Sequence, residues 1–237
     1  MHTTAMQNAA LFFETYAPCI GPGRLLDIGA QDVNGSLKQV CPSTLAYTGV
    51  DFVAGPGVDV VLDDPYVLPF DSDSVDAIVS SSCFEHSQLF WVLFLELLRV
   101  LKPSGLLYLN VPSNGLFHRY PVDCWRFYPD SGGALAEWGR RNDYRCHLLE
   151  SFVAKQAHEP WNDFVAVFLR DVAFRDRYPH RILARHTSFF NGVTDHSPAI
   201  LHPEGRSQDL LFRAPTRPAR RLLEKLRSRF RESASLT

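Results

Sequence analysis

Along residues 1–170, short apolar runs alternate with stretches of helical periodicity. Residues 6–17 place Leu11, Phe12 and Tyr16 on one side of an amphipathic helix, which Gly21, Pro22 and Gly23 stop. Leu25, Leu26, Asp27, Ile28 and Gly29 then read as a buried parallel strand running into a turn. Residues 45–51 and 58–62 form the next two strands; the first ends in Asp51 and the second is followed by Asp63 and Asp64. Residues 75–80 are a fourth strand. Residues 88–101 have helical character and end at Lys102, Pro103, Ser104 and Gly105. Residues 106–111 are a fifth strand, residues 132–140 a helix, and residues 144–154 and 164–169 two further strands. Strands alternating with helices predict βαβ units, hence an α/β, Rossmann-like doubly wound sheet, mostly parallel, with helices on both faces.

Beyond residue 170 this rhythm stops. Five prolines punctuate a polar stretch, so residues 171–216 read as irregular, and residues 217–230 as a short basic helix with Leu222, Leu223, Leu226 and Phe230 on one stripe. Two parts follow: a domain over residues 1–170 and an irregular basic C-terminal extension over residues 171–237. Charge divides at the same place. There are 11 Lys+Arg against 19 Asp+Glu up to Arg170, and 13 against 7 from Asp171 on. The formal net charge of -2 removes any whole-chain basic field, and no nucleic-acid partner is expected. With 46% hydrophobic and 21% charged residues, the 237-residue chain is neither disordered nor fibrous. Its five cysteines are odd in number and none is at CxxC spacing, which fits reduced thiols in a cytoplasmic protein. Met1 to Cys19 lacks the basic start of a signal peptide. The apolar run 89–101 is too short to span a bilayer.

In an open α/β sheet, ligands bind outside the carboxyl ends of the strands, so the acids there carry the chemistry. Asp27 ends the first strand beside Gly29, where a missing Cβ lets a ligand approach. Asp51 stands about twenty residues further on, a spacing that suits a ribose diol. Asp64 follows the third strand. A pyrophosphate site would need G-x-G-x-x-G, whereas Gly29 is followed by Ala30, Gln31, Asp32, Val33 and Asn34 before Gly35. This disfavours a dinucleotide dehydrogenase. Asp27 and Asp32 favour a cationic or zwitterionic ligand instead, such as S-adenosylmethionine.

On these residues the chain resembles class I S-adenosylmethionine-dependent methyltransferases. "LLDIGA" is similar to the family's first motif and "YTGVDF" to its second-strand acid. "LDDPYVLPFDSDSVDAIVSSSCFEH" and "LLRVLKPSGLLYLNVPSNG" resemble the regions that follow, so residues 24–115 are covered. "HRYPVDCWRFYPD" resembles a subgroup associated with polysaccharide and glycolipid synthesis. One departure stands out: Gln31 occupies the place of the second glycine in the common D/E-x-G-x-G, so the turn must be reshaped, with Asn34 and Gly35 as its candidates. The resemblance implies S-adenosyl-L-methionine as cofactor. Asp27 and Gly29 would lie at its methionine end, Asp51 on the ribose, Phe52 beside the adenine, Asp64 on the adenine amino group and Ser81 under the sulfonium. Gly35 joins this set through the reshaped turn.

Residues 118–130 follow the fifth strand and should overhang the methyl donor. They hold His118, Arg119, Tyr120, Asp123, Trp125, Arg126, Phe127 and Tyr128. Methyl transfer to a hydroxyl needs a base, and His118 and Asp123 are the catalytic candidates, with Asp123 acting directly or orienting the imidazole. Trp125, Phe127 and Tyr128 equally suit a packed lid, and Asp123 with Arg126 a structural ion pair. Glu85 and His86 read as a helix start with a supporting histidine, or as a second source of a base. No His, Cys, Asp or Glu cluster has metal-ligand spacing, so no metal is expected. The expected reaction is O-methylation of a sugar, glycan or other small hydroxyl compound. N- or C-methylation and a non-catalytic partner subunit are the alternatives. The basic C-terminal stripe suits peripheral contact with an anionic membrane at its inner face.

Overall fold

The computed structural model describes residues 2–157, 160–205 and 208. Its elements are α1 (Thr3–Ile20), β1 (Gly23–Ile28), β2 (Leu45–Asp51), β3 (Val60–Val61), β4 (Val75–Ser81), α2 (Phe90–Val100), β5 (Leu101–Pro112), α3 (Ser131–Arg141), β6 (His147–Ala154), β7 (Asp163–Leu169), β8 (Phe189–Thr194) and β9 (Ser197–Leu201). One sheet runs in the order β3-β2-β1-β4-β5-β7-β6-β8-β9. The strands from β3 to β5 are parallel; β7, β6, β8 and β9 add antiparallel neighbours. This is the Rossmann-like α/β sheet expected from the sequence.

Alternation within the strands builds two cores. Leu26, Ile28 and Ile78 face α2 and α3, meeting Phe94, Leu97 and Leu135. Leu25, Ala77, Val79 and Tyr108 face α1, meeting Phe12, Phe13 and Tyr16. β7 is buried along its whole length, as a strand covered on both faces must be. The chain leaves β1 toward β2 and β3 on one side, then crosses back to β4 and β5 on the other. The crevice at this reversal lies between the carboxyl ends of β1 and β4.

Three expectations change. The connections β1–β2, β2–β3 and β3–β4 contain no α-helix; a 3-10 turn at Leu37–Gln39 is the one helical element between β1 and β2. Lys102 to Gly105 do not separate helix from strand. They form an irregularity at the start of β5, where the register with β4 shifts between Val75 and Ala77. Third, the first part of the segment expected to be irregular is built into the sheet: β8 pairs with β6, and β9 with β8. The basic helix expected over residues 217–230 lies outside the described residues.

Glu150 shows how tightly this added segment is held. It is fully buried on β6, accepts a hydrogen bond from the Tyr16 hydroxyl of α1 at 2.5 Å, and accepts from Ile182 N at 2.7 Å and Leu183 N at 3.0 Å. Burial pushes its carboxyl upward against those bonds. Glu150→Ala strands three buried donors, each worth about 1–3 kcal/mol when left unpaired. The variant is therefore expected to lose at least about 2 kcal/mol of stability, measured as a lowered urea midpoint with an unchanged slope.

Candidate active site

β1 and β4 bring two buried polar side chains to the crevice, each with an oxygen that has no hydrogen bond among the described residues. Asp27 is 2% exposed; its Oδ2 accepts from the Tyr47 hydroxyl, and its Oδ1 is buried without a hydrogen bond. Ser81, at the end of β4, is buried with an unpartnered Oγ. The register sets Asp27 beside Val79, two residues before Ser81. Buried polar atoms are nearly always satisfied, so two orphans at adjacent strand ends mark a place for a ligand. Burial pushes the Asp27 carboxyl up to about 7, with the Tyr47 hydrogen bond opposing.

Gly29 closes β1 with φ +83, and a Cβ there would stand 2.7 Å from Cys83 Cβ. A side chain is excluded both by conformation and by space. Cys83 is an inert partner, its thiol pushed to about 12 by burial. Asp51 is 9% exposed at the end of β2 and accepts from Gln31 N at 3.2 Å and Val53 N at 3.1 Å. Each of its oxygens keeps a lone pair for a diol. It also holds the β1–β2 turn through Gln31 N.

Gln31 explains the missing second glycine. Its backbone N–H donates to Asp51, its amide Nε2 lies over Gly55, where a Cβ would come within 2.6 Å, and its Oε1 accepts from the Tyr120 hydroxyl at 2.9 Å. Asp32 donates its N–H to Pro56 O at 2.8 Å and accepts from Gly35 N at 2.7 Å. The turn is thus closed by Asp32 and Gly35 and packed on the next connection. Phe52 is 48% exposed, an open aromatic face beside Asp51. Asp64 is exposed just past β3, and its Oδ1 accepts from Tyr66 N at 2.8 Å, an Asx turn.

Residues 113–130 arch from the end of β5. Asn110, buried near its end, is tied to α1 through Asn8 Nδ2 at 2.9 Å. Cys124 and Trp125 donate their N–H groups to Glu85 O at 2.8 and 3.2 Å, fastening the loop to the 3-10 turn Phe84–His86. Phe127 is buried against Phe90, and Trp125 packs on Phe90 and Trp91 while donating to Ser87 O at 2.9 Å. Leu116, Phe117 and Tyr128 remain exposed. The packed-lid reading therefore holds for Phe127 and Trp125.

Asp123 is corrected as a candidate base. Arg126 grips it through NH1 at 2.5 Å and NH2 at 2.9 Å, and it accepts His118 N at 2.7 Å. That guanidinium pulls its carboxyl down to about 2, too weak a base to take a hydroxyl proton. It serves to hold His118 and Arg126 in place. The His118 ring is partly exposed, with Nδ1 3.1 Å from Leu116 O and its face edge-on to Trp161 at 4.9 Å. Trp161 fills the space where a side chain at Gly115 would be, since a Cβ there would lie 2.0 Å from the indole.

Sequence spacing missed one convergence. Glu85, His86 and His118 bring one ligand atom each to within 4.8 Å of one another. Glu85 is 1% exposed, its Oε2 has no hydrogen bond, and burial pushes its carboxyl up to about 8. His86 Nδ1 donates to Val122 O, which leaves Nε2 with its lone pair, 3.8 Å from Glu85 Oε1. Burial holds its pKa below the usual imidazole value.

A family model described as a methyltransferase domain matches residues 21–109. Curated relatives from Mycobacterium tuberculosis strains, each an uncharacterized methyltransferase, are 41% identical over 69 residues, 29% of this chain and 27% of theirs. The match thus spans about a quarter of those relatives' length. Among solved structures, the 1,6-didemethyltoxoflavin-N1-methyltransferase of Burkholderia thailandensis, with bound S-adenosylhomocysteine, is 17% identical at a TM-score of 0.54, covering 70% of this chain and 78% of that one. A putative sarcosine dimethylglycine methyltransferase from Galdieria sulphuraria is 14% identical at a TM-score of 0.52, covering 70% and 85%. The cyclase SpnF is 16% identical at 0.53, covering 70% and 82%, so the fold alone does not fix the chemistry. Residues 21–109 are thus similar to a methyltransferase domain, and the fold is that of the solved methyltransferases.

If Asp27 Oδ1 awaits a cation, affinity for S-adenosylmethionine should fall as the carboxyl protonates. Calorimetry across pH should show binding weaken as pH drops through about 7. Asp27→Asn should be weak throughout and lose this pH dependence; an unchanged profile would remove Asp27 from the site.

Proposed function

We propose that the chain transfers a methyl group from S-adenosylmethionine to a hydroxyl of a sugar, glycan or other small acceptor. The pair of unpartnered buried oxygens, Asp27 Oδ1 and Ser81 Oγ, at the strand reversal carries this reading. They fit a cationic ligand on the acidic rim, with Asp51 offering a diol partner. When bound, S-adenosylmethionine supplies an electrophilic methyl carbon on a sulfonium.

The chain's own work is alignment and proton removal. In-line attack requires the acceptor oxygen, methyl carbon and sulfur on one axis; the carbon–oxygen bond forms as the carbon–sulfur bond breaks, and sulfur keeps the electron pair. The acceptor's proton passes to a base on the overhanging loop, and His118 is the residue placed for it. Arg126, held by Asp123, orients that loop through Leu116 O at 2.8 Å. Trp161 packs against the His118 imidazole and Tyr120 against that of His86, and such aromatic rings suit a sugar. The likeness of residues 118–130 to the polysaccharide-associated subgroup supports a glycan acceptor.

Labelled methyl donor incubated with glycan precursors and read by mass spectrometry tests the reaction; incorporation at nitrogen or carbon alone would move the assignment to another acceptor atom. For the base, His118→Ala should lower kcat by about 10²-fold while donor affinity stays within a few-fold. A normal kcat with raised KM would make His118 a binding contact instead.

A further inference from the structure

We propose that Glu85, His86 and His118 form a binding site for one divalent transition-metal ion, ligated by one carboxylate and two imidazoles. The three ligand atoms lie within 4.8 Å of one another, a span that small side-chain rotations close around an ion. Three independent features support it. Glu85 is 1% exposed and Oε2 has no hydrogen bond among the described residues, which is costly for a carboxylate unless a cation supplies the missing partner. His86 is set as a ligand, because Val122 O takes its Nδ1 proton and fixes the ring with Nε2 toward Glu85. A backbone carbonyl on the far nitrogen is the usual support of a metal-bound imidazole. The third feature is the donor set: two nitrogens and one oxygen select zinc, iron or manganese over calcium and magnesium.

The site stands in the overhanging loop and in the turn just past β4, four residues beyond Ser81. Three protein ligands leave coordination positions for oxygens of a second molecule. For an acceptor bearing hydroxyls, the ion would bind one and lower its pKa, taking over the work that His118 does as a base when no ion is bound. This role rests on the methyl-transfer reading; the binding of the ion does not.

The test uses the full chain, stripped with chelator and titrated with cobalt(II), followed by visible absorption and by elemental analysis after desalting. One cobalt per chain is expected, with ligand-field bands of a nitrogen–oxygen site. Glu85→Gln and His118→Ala should each weaken uptake by at least about tenfold, whereas S-adenosylmethionine affinity, measured on the same samples, should hold within a few-fold. Should Glu85→Gln fail to fold, His118→Ala, at a partly exposed ring, decides alone. No cobalt uptake by the parent, or equal uptake by parent and His118→Ala, overturns the site. Cobalt uptake without any donor binding supports the site and sinks the methyl-transfer reading, so the two failures are distinguishable.

Discussion

The central strands of this sheet are covered on both faces, and that constraint governs where polar chemistry can exist. β5 and β7 are buried along nearly their whole length, β1 and β4 along their carboxyl halves. A polar side chain there must find a partner or carry a penalty of several kcal/mol. Most do find one: Ser80 Oγ donates to Ile28 O, and Glu150 takes three donors. Among the described residues, Asp27 Oδ1 and Ser81 Oγ do not, nor do Asn110 Nδ2 on β5 and Ser151 Oγ on β6; the first two stand where the sheet's connectivity reverses. The crevice is therefore defined twice, once by topology and once by the failure of internal satisfaction.

The turn after β1 is built without the helix that the alternating pattern implied. With a 3-10 turn of three residues between β1 and β2, no α-helix opens in that connection to offer its N-terminus, and fixed charge and individual N–H groups stand there instead. Gln31 takes over what a glycine would have left open. Its backbone is spent on Asp51, and its side chain spans from Gly55 to Tyr120. The glycine missing from the first turn is in effect moved to Gly55 and Gly57, which make room for the residues that replaced it: a Cβ on Gly57 would approach Ala30 O within 2.9 Å.

The parts legible in the sequence were those fixed by local pattern. Residues 45–51 form a strand with the boundaries expected, and Asp27 and Asp51 sit at strand ends because an acid can follow a buried run only where water or a ligand begins. Non-local satisfaction was not legible. Nothing in the 171–205 composition shows that a buried Glu150 on β6 caps the 3-10 turn Ile182–Ala184, or that β8 finds β6 as its edge. Asp123 shows the same limit: its type suits a base, and only the bidentate contact with Arg126 shows that it is held as an ion pair. Glu85 and His86 share one 3-10 turn and His118 lies on the loop after β5, and no spacing rule joins the pair to it.

One turn ties the two halves of the crevice together. Cys83, which opens the 3-10 turn, fills the space beside Gly29 on the donor side. Two residues on, Glu85 O accepts the loop's Cys124 and Trp125 N–H groups, and His86 Nδ1 donates to Val122 O. The loop closes back on the β1–β2 turn through Tyr120 and Gln31. The contacts thus form a ring: β1 turn, Cys83, the 3-10 turn, the overhanging loop, and the β1 turn again. The proposed methyl transfer tolerates little error in alignment and so requires the two halves of the crevice fixed in distance. A closed ring of short-range contacts fixes it more firmly than two loops anchored separately on the sheet, because displacing either half strains every link.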